Sequence, residues 1–338
     1  MNLKKRVFFV ISIFFLIFLN SIFLFEHQNF TLTQSYAIGN FSESKVNQTV
    51  QYFKHDLSNN ETINPHNYIY IINPGESICK NKNITLLAFV LIKRDNFIQR
   101  DIIRTTWSNK TLFPQMKVVF MLGSSDDAEL DKKIENESKI YGDIVQESFQ
   151  DTYLNLTLKT IQGIKWVSNY CSNAKYVLKV DDDVIVNSFA LLQYLDNLKL
   201  NTDNNLMCFI HKNAPISRRM ESKFYVSYNE LSTNSYPQYC DGPAYMFQGN
   251  LTAQLYEASL NTKFFKFEDV YFGLLAAKLK LNFIGLKFKY RYKYSKSFQI
   301  MEINQIFESN KTNHTFFIYP CSTNIFQFTW SKLITYFN

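Results

Sequence analysis

The stretch KYVLKVDDDVIVN, Lys175 to Asn187, decides the fold. Tyr176 to Val180 is a short, valine-rich apolar run bounded by polar residues, the pattern of a buried strand. It ends on three successive carboxylates, Asp181, Asp182 and Asp183, and β-branched apolar residues resume at Val184. Adjacent acids repel one another, so positive charge is expected among them. Hard oxygen donors at a strand end suit Mg²⁺ or Mn²⁺. In open α/β sheets, ligands collect outside the carboxyl ends of strands, where these acids fall. An isolated acidic triplet could equally be a solvated turn, so the surrounding chain has to decide.

Upstream, Ile84 to Ile92 (ITLLAFVLI) is a continuous apolar run that reads as a strand buried on both faces. A helix is expected over Phe97 to Thr105, a strand over Val118 to Leu122, a charged helix over Asp126 to Ile140, and a strand near Ile144. Leu156 to Cys171 places Ile161, Ile164, Val167 and Cys171 at helical spacing and feeds the Tyr176 strand. Strands alternating with helices imply an α/β domain with a mostly parallel central sheet. Downstream, a helix over Ser188 to Leu198 precedes short strands near Cys208, Phe224 and Tyr245, and a further helix starts near Asp269. No repeat or Gly/Pro-rich linker divides Ile84 to Asn338.

The chain has 338 residues, 46% hydrophobic and 19% charged, with a net charge of +7 and no long basic block. That composition suits a large core and excludes a nucleic-acid-binding signature. Residues 1–6, with Lys4, Lys5 and Arg6, read as a cytosolic tail before an apolar stretch over 7–25. Spanning a bilayer takes about 20 residues, and positive charge marks the cytosolic side. The run closes on Phe23-Leu24-Phe25 without the small residues of a cleavage site, so an uncleaved signal-anchor is expected rather than a removed signal peptide. Residues 26–82 read as a polar stem and 83–338 as the folded domain. N-x-S/T sequons from Asn29 to Asn313 fit lumenal exposure, although Asn155 falls inside a helical pattern and is not expected to be used. Cys79, Cys171, Cys208, Cys240 and Cys321 show no zinc spacing, so disulfides are expected, with one cysteine left over.

Five local patterns then occur in order: Arg100-Asp-Ile-Ile-Arg104-Thr-Thr-Trp107, Asp151-Thr-Tyr153-Leu-Asn-Leu-Thr-Leu-Lys159-Thr160, Lys179-Val-Asp181-Asp182-Asp183, Tyr236-Pro-Gln-Tyr239-Cys240-Asp-Gly242-Pro-Ala-Tyr245, and Glu268-Asp269-Val270-Tyr271-Phe-Gly273. Together they resemble the β-1,3-glycosyltransferases, the family of β-1,3-galactosyl- and β-1,3-N-acetylglucosaminyltransferases. The resemblance runs from about Ile84 to the C-terminus, and Glu-Asp-Val-Tyr-x-Gly is its most telling part. It implies a GT-A-type nucleotide-sugar-binding domain in a single-pass type II Golgi membrane enzyme, its domain lumenal. It also implies a UDP-sugar donor, Mn²⁺ (or Mg²⁺) as cofactor, and a glycan acceptor on protein or lipid.

The chemistry needs these residue types. A diphosphate leaving group gains negative charge as the glycosidic bond breaks, and a divalent cation offsets it. The resemblance makes Asp183 the direct metal ligand, with Asp181 beside it and Asp181 and Asp182 near the donor. Arg100, Arg104, Lys159 and Lys179 could pair with phosphates or with carboxylates, and each could instead be a structural charge. Inversion needs one base opposite the leaving group. The resemblance assigns it to Asp269, with Glu268 as the fallback. A helix N-terminus would favour the ionised form, and both acids could also cap that helix. Gly242 is expected to allow close backbone approach and Tyr245 to line the acceptor cleft. Trp107 and Tyr153 are expected in the core.

One departure concerns the tail. Many relatives carry a histidine near the C-terminus that completes the metal site, and counting back from Trp330 that position holds Tyr319. His314 could serve instead, or water could. The expected function is a metal-dependent inverting transfer of a hexose, galactose in preference to N-acetylglucosamine, from a UDP-sugar in β-1,3 linkage to a glycan acceptor. The alternatives are a catalytically weak relative acting as a lumenal glycan-binding protein, and an anchored structural glycoprotein.

Overall fold

A computed structural model describes residues 62–198, 204–286, 296–308, 312–320 and 322–337. The expected tail and anchor, and the stem as far as residue 61, lie outside these residues. Among the described residues no helix is long and apolar enough to cross a membrane.

The core is an eight-stranded sheet in the order β1-β4-β3-β2-β5-β8-β7-β9. Its strands are β1 (Tyr70–Ile72), β2 (Leu86–Leu91), β3 (Met116–Ser124), β4 (Ile144–Gln150), β5 (Tyr176–Asp181), β7 (Asn205–His211), β8 (Tyr239–Gln248) and β9 (Asn282–Gly285). A two-stranded ribbon joins β6 (Ile185–Val186) to β10 (Phe317–Ile318). Strands β4, β3, β2 and β5 form the expected parallel block, while β8 runs antiparallel to both β5 and β7 and β1 antiparallel to β4. The sheet is therefore mixed, parallel at its centre.

The helices are α1 (Phe97–Thr105), α2 (Ala128–Tyr141), α3 (Leu156–Tyr170), α4 (Ser188–Asn197), α5 (Thr252–Leu260), α6 (Glu268–Lys278), α7 (Lys296–Glu308) and α8 (Thr323–Phe337). They cover both faces of the sheet, which explains the unbroken apolar run in β2. Leu87, Phe89 and Leu91 meet α3, α5 and α6 on one face, and Leu86, Ala88 and Val90 meet α1, α4 and α8 on the other. Asp127 starts α2 by accepting from the Leu130 N–H, and Gly142 ends it in the left-handed region at φ 63°.

Two expectations differ from the structure. No strand forms at Phe224; residues 212–238 make a loop with two isolated bridges, Pro215 to Ser235 and Ser217 to Tyr225. The segment 62–82, expected in the stem, is packed against the domain. Within it β1 pairs with β4, His66 and Glu147 lie 2.6 Å apart, and Cys79 is disulfide-bonded to Cys171. These ties carry no periodic signal, because β1 is a three-residue edge strand with only partial burial. A second disulfide joins Cys208 to Cys240, and Cys321 lies outside the described residues.

Candidate active site

Strand β5 brings its C-terminal acids to the middle of the sheet. Its neighbours are β2 in parallel, with Leu91 opposite Asp181, and β8 in antiparallel, with Tyr245 opposite Lys179. Lys179 is a fully buried lysine in a strand interior, and three groups explain how it is tolerated. Its Nζ lies 2.7 Å from Asp181 Oδ1, 2.5 Å from the Gly242 carbonyl and 3.3 Å from Glu268 Oε2. Burial alone would lower its pKa, but the charges of Asp181 and Glu268 outweigh burial and hold the ammonium above the ordinary lysine value.

The three acids differ. Burial pushes Asp181 up to about 7, against the pull of Lys179 and with added repulsion from Glu268 and Asp183. Burial also raises Asp182, while Asn96 eases it by donating to Oδ2 at 2.9 Å. Gln99 donates to the Asp182 carbonyl at 2.7 Å. The start of α1 thus grips the triplet through two amides that the motifs did not single out. Their signal was positional: Asn96 ends the loop between a buried strand and a helix. Asp183 is exposed.

Asp269 lies in the first turn of α6. Its Oδ1 accepts from the Val270 N–H at 2.8 Å, which fixes the carboxylate, and it keeps an exposed edge. Burial and the adjacent Glu268 charge raise it to about 6, outweighing the Val270 N–H and Lys179. The expected help from the helix dipole is therefore overcome by desolvation. Gly273 lets α6 meet β8 backbone to backbone, since a Cβ there would lie 2.6 Å from Tyr239 Cβ. Gly242 faces Asp269 from β8, where a Cβ would lie 3.4 Å from the Asp269 Cβ and Oδ2. Gly273 thus lets the helix that carries Asp269 lie against β8, while at Gly242 a Cβ would make only ordinary contact with that carboxylate.

Glu268 is buried and engaged. Its Oε1 accepts from Thr160 Oγ1 at 2.9 Å and from the Tyr245 hydroxyl, and its Oε2 faces Lys179. Tyr245, expected from the sequence to line the acceptor cleft, does not. It is fully buried against Phe272, with ring centroids 4.4 Å apart, and burial beside Glu268 raises its pKa well above the ordinary tyrosine value.

The other basic residues point elsewhere. The Arg100 guanidinium is buried against Glu137, with Nη2 at 2.6 Å from Oε2, and caps the carbonyls of Lys93 and Arg94. Arg104 bridges Glu137 at 2.7 Å and Asp143 through two bonds of 2.9 and 2.7 Å. Both arginines hold α1 to α2 and are not brought to the acid triplet. Lys159 is buried, bonded to Asp151 at 2.7 Å and to the Ile92 carbonyl at 2.8 Å. Burial lowers its pKa against Asp151, Asp182 and Asp181, so it lies close enough to feel the triplet. Trp107 is in the core, as expected. Tyr153 is not: its side chain is 60% exposed in the 3₁₀ turn before α3. Burial of its hydroxyl and the charges of Asp269 and Asp181 raise its pKa, so both carboxylates lie within electrostatic reach of the phenol.

The ribbon brings the tail to the triplet. Asn187 Nδ2 donates to the carbonyls of Thr312 and Thr315, both at 3.0 Å, and Ile318 then pairs with Ile185. The antiparallel register carries Tyr319 toward Val184 and the acids, whereas His314 sits exposed in the turn at the Asn187 end.

Among the described residues, no group of three or more His, Cys, Asp or Glu converges as a metal cage. The donor set nevertheless fits an ion of the Mg²⁺ or Mn²⁺ kind. Such ions take one or two carboxylates, several waters and substrate phosphates rather than an all-protein cage. Asp183, exposed beside the partly buried Asp181, offers that arrangement.

Residues 98–287 match the model of the galactosyltransferase family. The chain is 37% identical over 225 residues to lactosylceramide 1,3-N-acetyl-beta-D-glucosaminyltransferase A of Xenopus laevis, a match covering 63% of this chain and 59% of that protein. It is also 37% identical over 226 residues to beta-1,3-galactosyltransferase 1 of Mus musculus, covering 65% and 68%. The match thus spans less than two thirds of the Xenopus relative. A solved galactosyltransferase in complex with donor and acceptor sugar analogs superposes with a TM-score of 0.36 at 12% identity, over 74% of this chain and 95% of that one, a likeness too slight to carry an argument. With the family model spanning more than half of the chain and a 37% identical relative covered over 68% of its length, the chain belongs to the β-1,3-glycosyltransferase family and carries its glycosyltransferase domain.

Proposed function

We propose that this chain is an inverting, metal-dependent hexosyltransferase of the GT-A type. It moves a hexose, galactose in preference to N-acetylglucosamine, from a UDP-sugar in β-1,3 linkage to a glycan acceptor on protein or lipid. The observation that carries the reading is Asp269. It is a carboxylate fixed through Oδ1, raised to about 6, and joined to the acid triplet through Glu268 and Lys179. A base poised just below neutral is ionised at working pH yet basic enough to take a hydroxyl proton.

Asp269 accepts the proton of the acceptor hydroxyl as that oxygen attacks the anomeric carbon from the side opposite the diphosphate. Displacement on that side inverts the configuration. Lys179, held by Asp181 and Glu268, keeps the two acidic centres at a fixed separation. Asp183 and Asp181 would hold a divalent ion, which when bound offsets the charge gathering on the departing UDP. Tyr153, exposed and within electrostatic reach of Asp181 and Asp269, would be the aromatic available to a bound sugar.

The donor preference rests on the likeness of the Asp151 to Trp166 stretch and of Glu268 to the galactosyltransferase branch. Relatives named for either sugar are equally similar at 37% identity. A Golgi lumenal location is supported by the apolar stretch at 7–25 and by two disulfides, which persist in oxidising compartments. The test is UDP release from UDP-galactose and UDP-N-acetylglucosamine by the full chain, with Mn²⁺, with and without β-linked glycan acceptors. Acceptor-stimulated release from UDP-galactose is expected. Release from neither donor with any acceptor would leave the glycan-binding alternative standing.

A further inference from the structure

We propose that Asp241, oriented by His211 beside the ring of Tyr239, accepts a hydroxyl of the acceptor sugar and so selects the glycan presented to Asp269. The inference rests on the proposed transfer and adds to it the residues that recognise the acceptor.

Asp241 is the one carboxylate on β8. His211, on β7, donates from Nε2 to its Oδ1 at 2.8 Å. The Asp241 side chain is only 13% exposed, yet among the described residues its Oδ2 has no hydrogen-bond partner. Burying a carboxylate is costly unless its oxygens are satisfied, so the open oxygen is ready to receive a donor. An ionised carboxylate only accepts, and a sugar hydroxyl supplies the hydrogen it needs.

The pair is held by the sheet. His211 lies opposite Tyr239 and Ile210 opposite Cys240, and the disulfide from Cys208 to Cys240 ties the two strands next to Asp241. The His211 ring stacks on Tyr239 with centroids 4.9 Å and planes 23° apart, and Phe209 meets it edge-on at 5.3 Å. Tyr239 in turn packs where Gly273 leaves room on α6, one turn beyond Asp269.

Position and charge select the occupant. Asp241 lies within electrostatic reach of Asp269 and adds to the repulsion that raises it. A Cβ on its neighbour Gly242 would lie 3.4 Å from that carboxylate. A sugar that presents its attacking hydroxyl to Asp269 carries others on the same ring, and Asp241 is placed to take one. The acid triplet lies on the β5 side of β8 and His211 on the β7 side, so the pair stands across β8 from the donor's metal ligands. A second acid beside Asp269 repels a diphosphate, whereas a neutral sugar brings hydroxyls for the carboxylate and C–H faces for the rings. A cation is the poorer fit, because among the described residues no three His, Cys, Asp or Glu converge.

The test uses the full chain in a sugar-free detergent, with methyl β-lactoside and methyl β-N-acetylglucosaminide as acceptor probes. Binding is read by saturation-transfer NMR, and transfer by UDP release from UDP-galactose or UDP-N-acetylglucosamine with Mn²⁺. Asp241→Ala should raise the acceptor KM about ten- to a hundredfold, the range of a hydrogen bond to a charged group, with a smaller change in kcat. Monodeoxy analogues of the probes report on single hydroxyls. In the wild type, one analogue that keeps the attacking hydroxyl should bind worse than its parent, and that gap should close in Asp241→Ala. His211→Ala should narrow the gap and His211→Gln should restore part of it, which a merely structural histidine would not do. Melting curves keep folding defects apart, and the isosteric Asp241→Asn should fall between wild type and Asp241→Ala. An acceptor KM within about twofold of wild type in a folded Asp241→Ala, or a deoxy gap that persists there, would overturn the proposal. So would a wild type that binds neither probe. Transfer that is indifferent to Asp241→Ala sinks only the acceptor site. A probe bound by the wild type and lost in Asp241→Ala, without UDP release from either donor, sinks only the transfer.

Discussion

Lys179 Nζ lies 3.3 Å from Glu268 Oε2, so the acid triplet and the helix that carries Asp269 are joined through one buried ammonium. Replacing Lys179 by Met leaves the buried Glu268 and the partly buried Asp181 without their cation. Removing one partner of a buried ion pair costs about 3–5 kcal/mol. The expected outcome is a loss of that size in urea unfolding of Lys179→Met, with turnover lost as well. A variant within about 1 kcal/mol of wild type would show that the lysine does not tie the site together.

Asp269→Asn should keep UDP-sugar affinity and slow transfer. A general base contributes typically 10²- to 10⁴-fold, and the amide cannot take the proton. Single-turnover rates and UDP binding by calorimetry separate the two effects. A near-normal rate would move the base elsewhere.

The same carboxylate sets a pH limb. Asp269 is raised to about 6, first by burial and then by the Glu268 charge. The base form therefore gains with rising pH, so kcat should climb through about 6 and level off above it. Taking away the neighbouring charge in Glu268→Gln should move the limb to lower pH. For stability the sign is opposite. Between the unfolded value of about 4 and the folded value, the native state holds the extra proton, so this group's contribution falls as pH rises across that window. A limb unmoved in Glu268→Gln would mean that another group is being titrated.

The two arginines of the first motif separate structure from donor binding. Arg100 and Arg104 share Glu137, and Arg104 also holds Asp143. Arg100→Ala should therefore lower stability by about 3–5 kcal/mol. The fraction that folds should keep an unchanged KM for the donor. A rise in KM without a loss of stability would return the guanidinium to the donor site.

What could be read from the chain follows its physics. The ITLLAFVLI run announced a strand because helices cover both its faces, and burial on both faces leaves no alternation to disguise it. The place of Asp181 to Asp183 at a strand end was legible from the apolar run before them, and that of Asp269 at a helix start from the resemblance and the helical pattern after it. Partners were not legible, because Arg100 meets Glu137 and Arg104 meets Asp143 across 37 and 39 residues of chain, a distance no local pattern encodes. Tyr153 misled for a similar reason. An aromatic in a helical motif reads as core, yet the 3₁₀ turn before α3 rotates it outward.

That outward turn yields its own prediction. Tyr153 is 60% exposed, so Tyr153→Ala should change stability by no more than about 0.5 kcal/mol. If the ring stacks on a sugar between Asp181 and Asp269, the loss should be about 0.5–1.5 kcal/mol of substrate binding, or roughly two- to tenfold in kcat/KM. Wild-type kinetics in a stable variant would remove Tyr153 from the site.

The last prediction concerns the tail. Strand β10 pairs with β6 so that Phe317 faces Val186 and Ile318 faces Ile185. Continuing that register by one residue brings Tyr319 level with Val184, next to Asp183. His314 is carried the other way, into the turn that Asn187 holds through the carbonyls of Thr312 and Thr315. Tyr319 therefore stands beside the acid triplet, at the position where the resemblance leads one to expect a histidine, and the only described histidine nearby in sequence lies at the opposite end of the ribbon. A neutral phenol is a poorer ligand than an imidazole nitrogen, and water serves such ions readily. The wild type should consequently need more Mn²⁺ than a histidine-bearing site. A Mn²⁺ titration of UDP-sugar turnover should show a lower half-maximal concentration for Tyr319→His and no change for His314→Ala. Unfolding curves for both variants, run without metal, guard against a change in folding. An unmoved Tyr319→His together with an inactive, folded His314→Ala would make His314 the ligand and would require the 312–318 segment to turn over in the working enzyme.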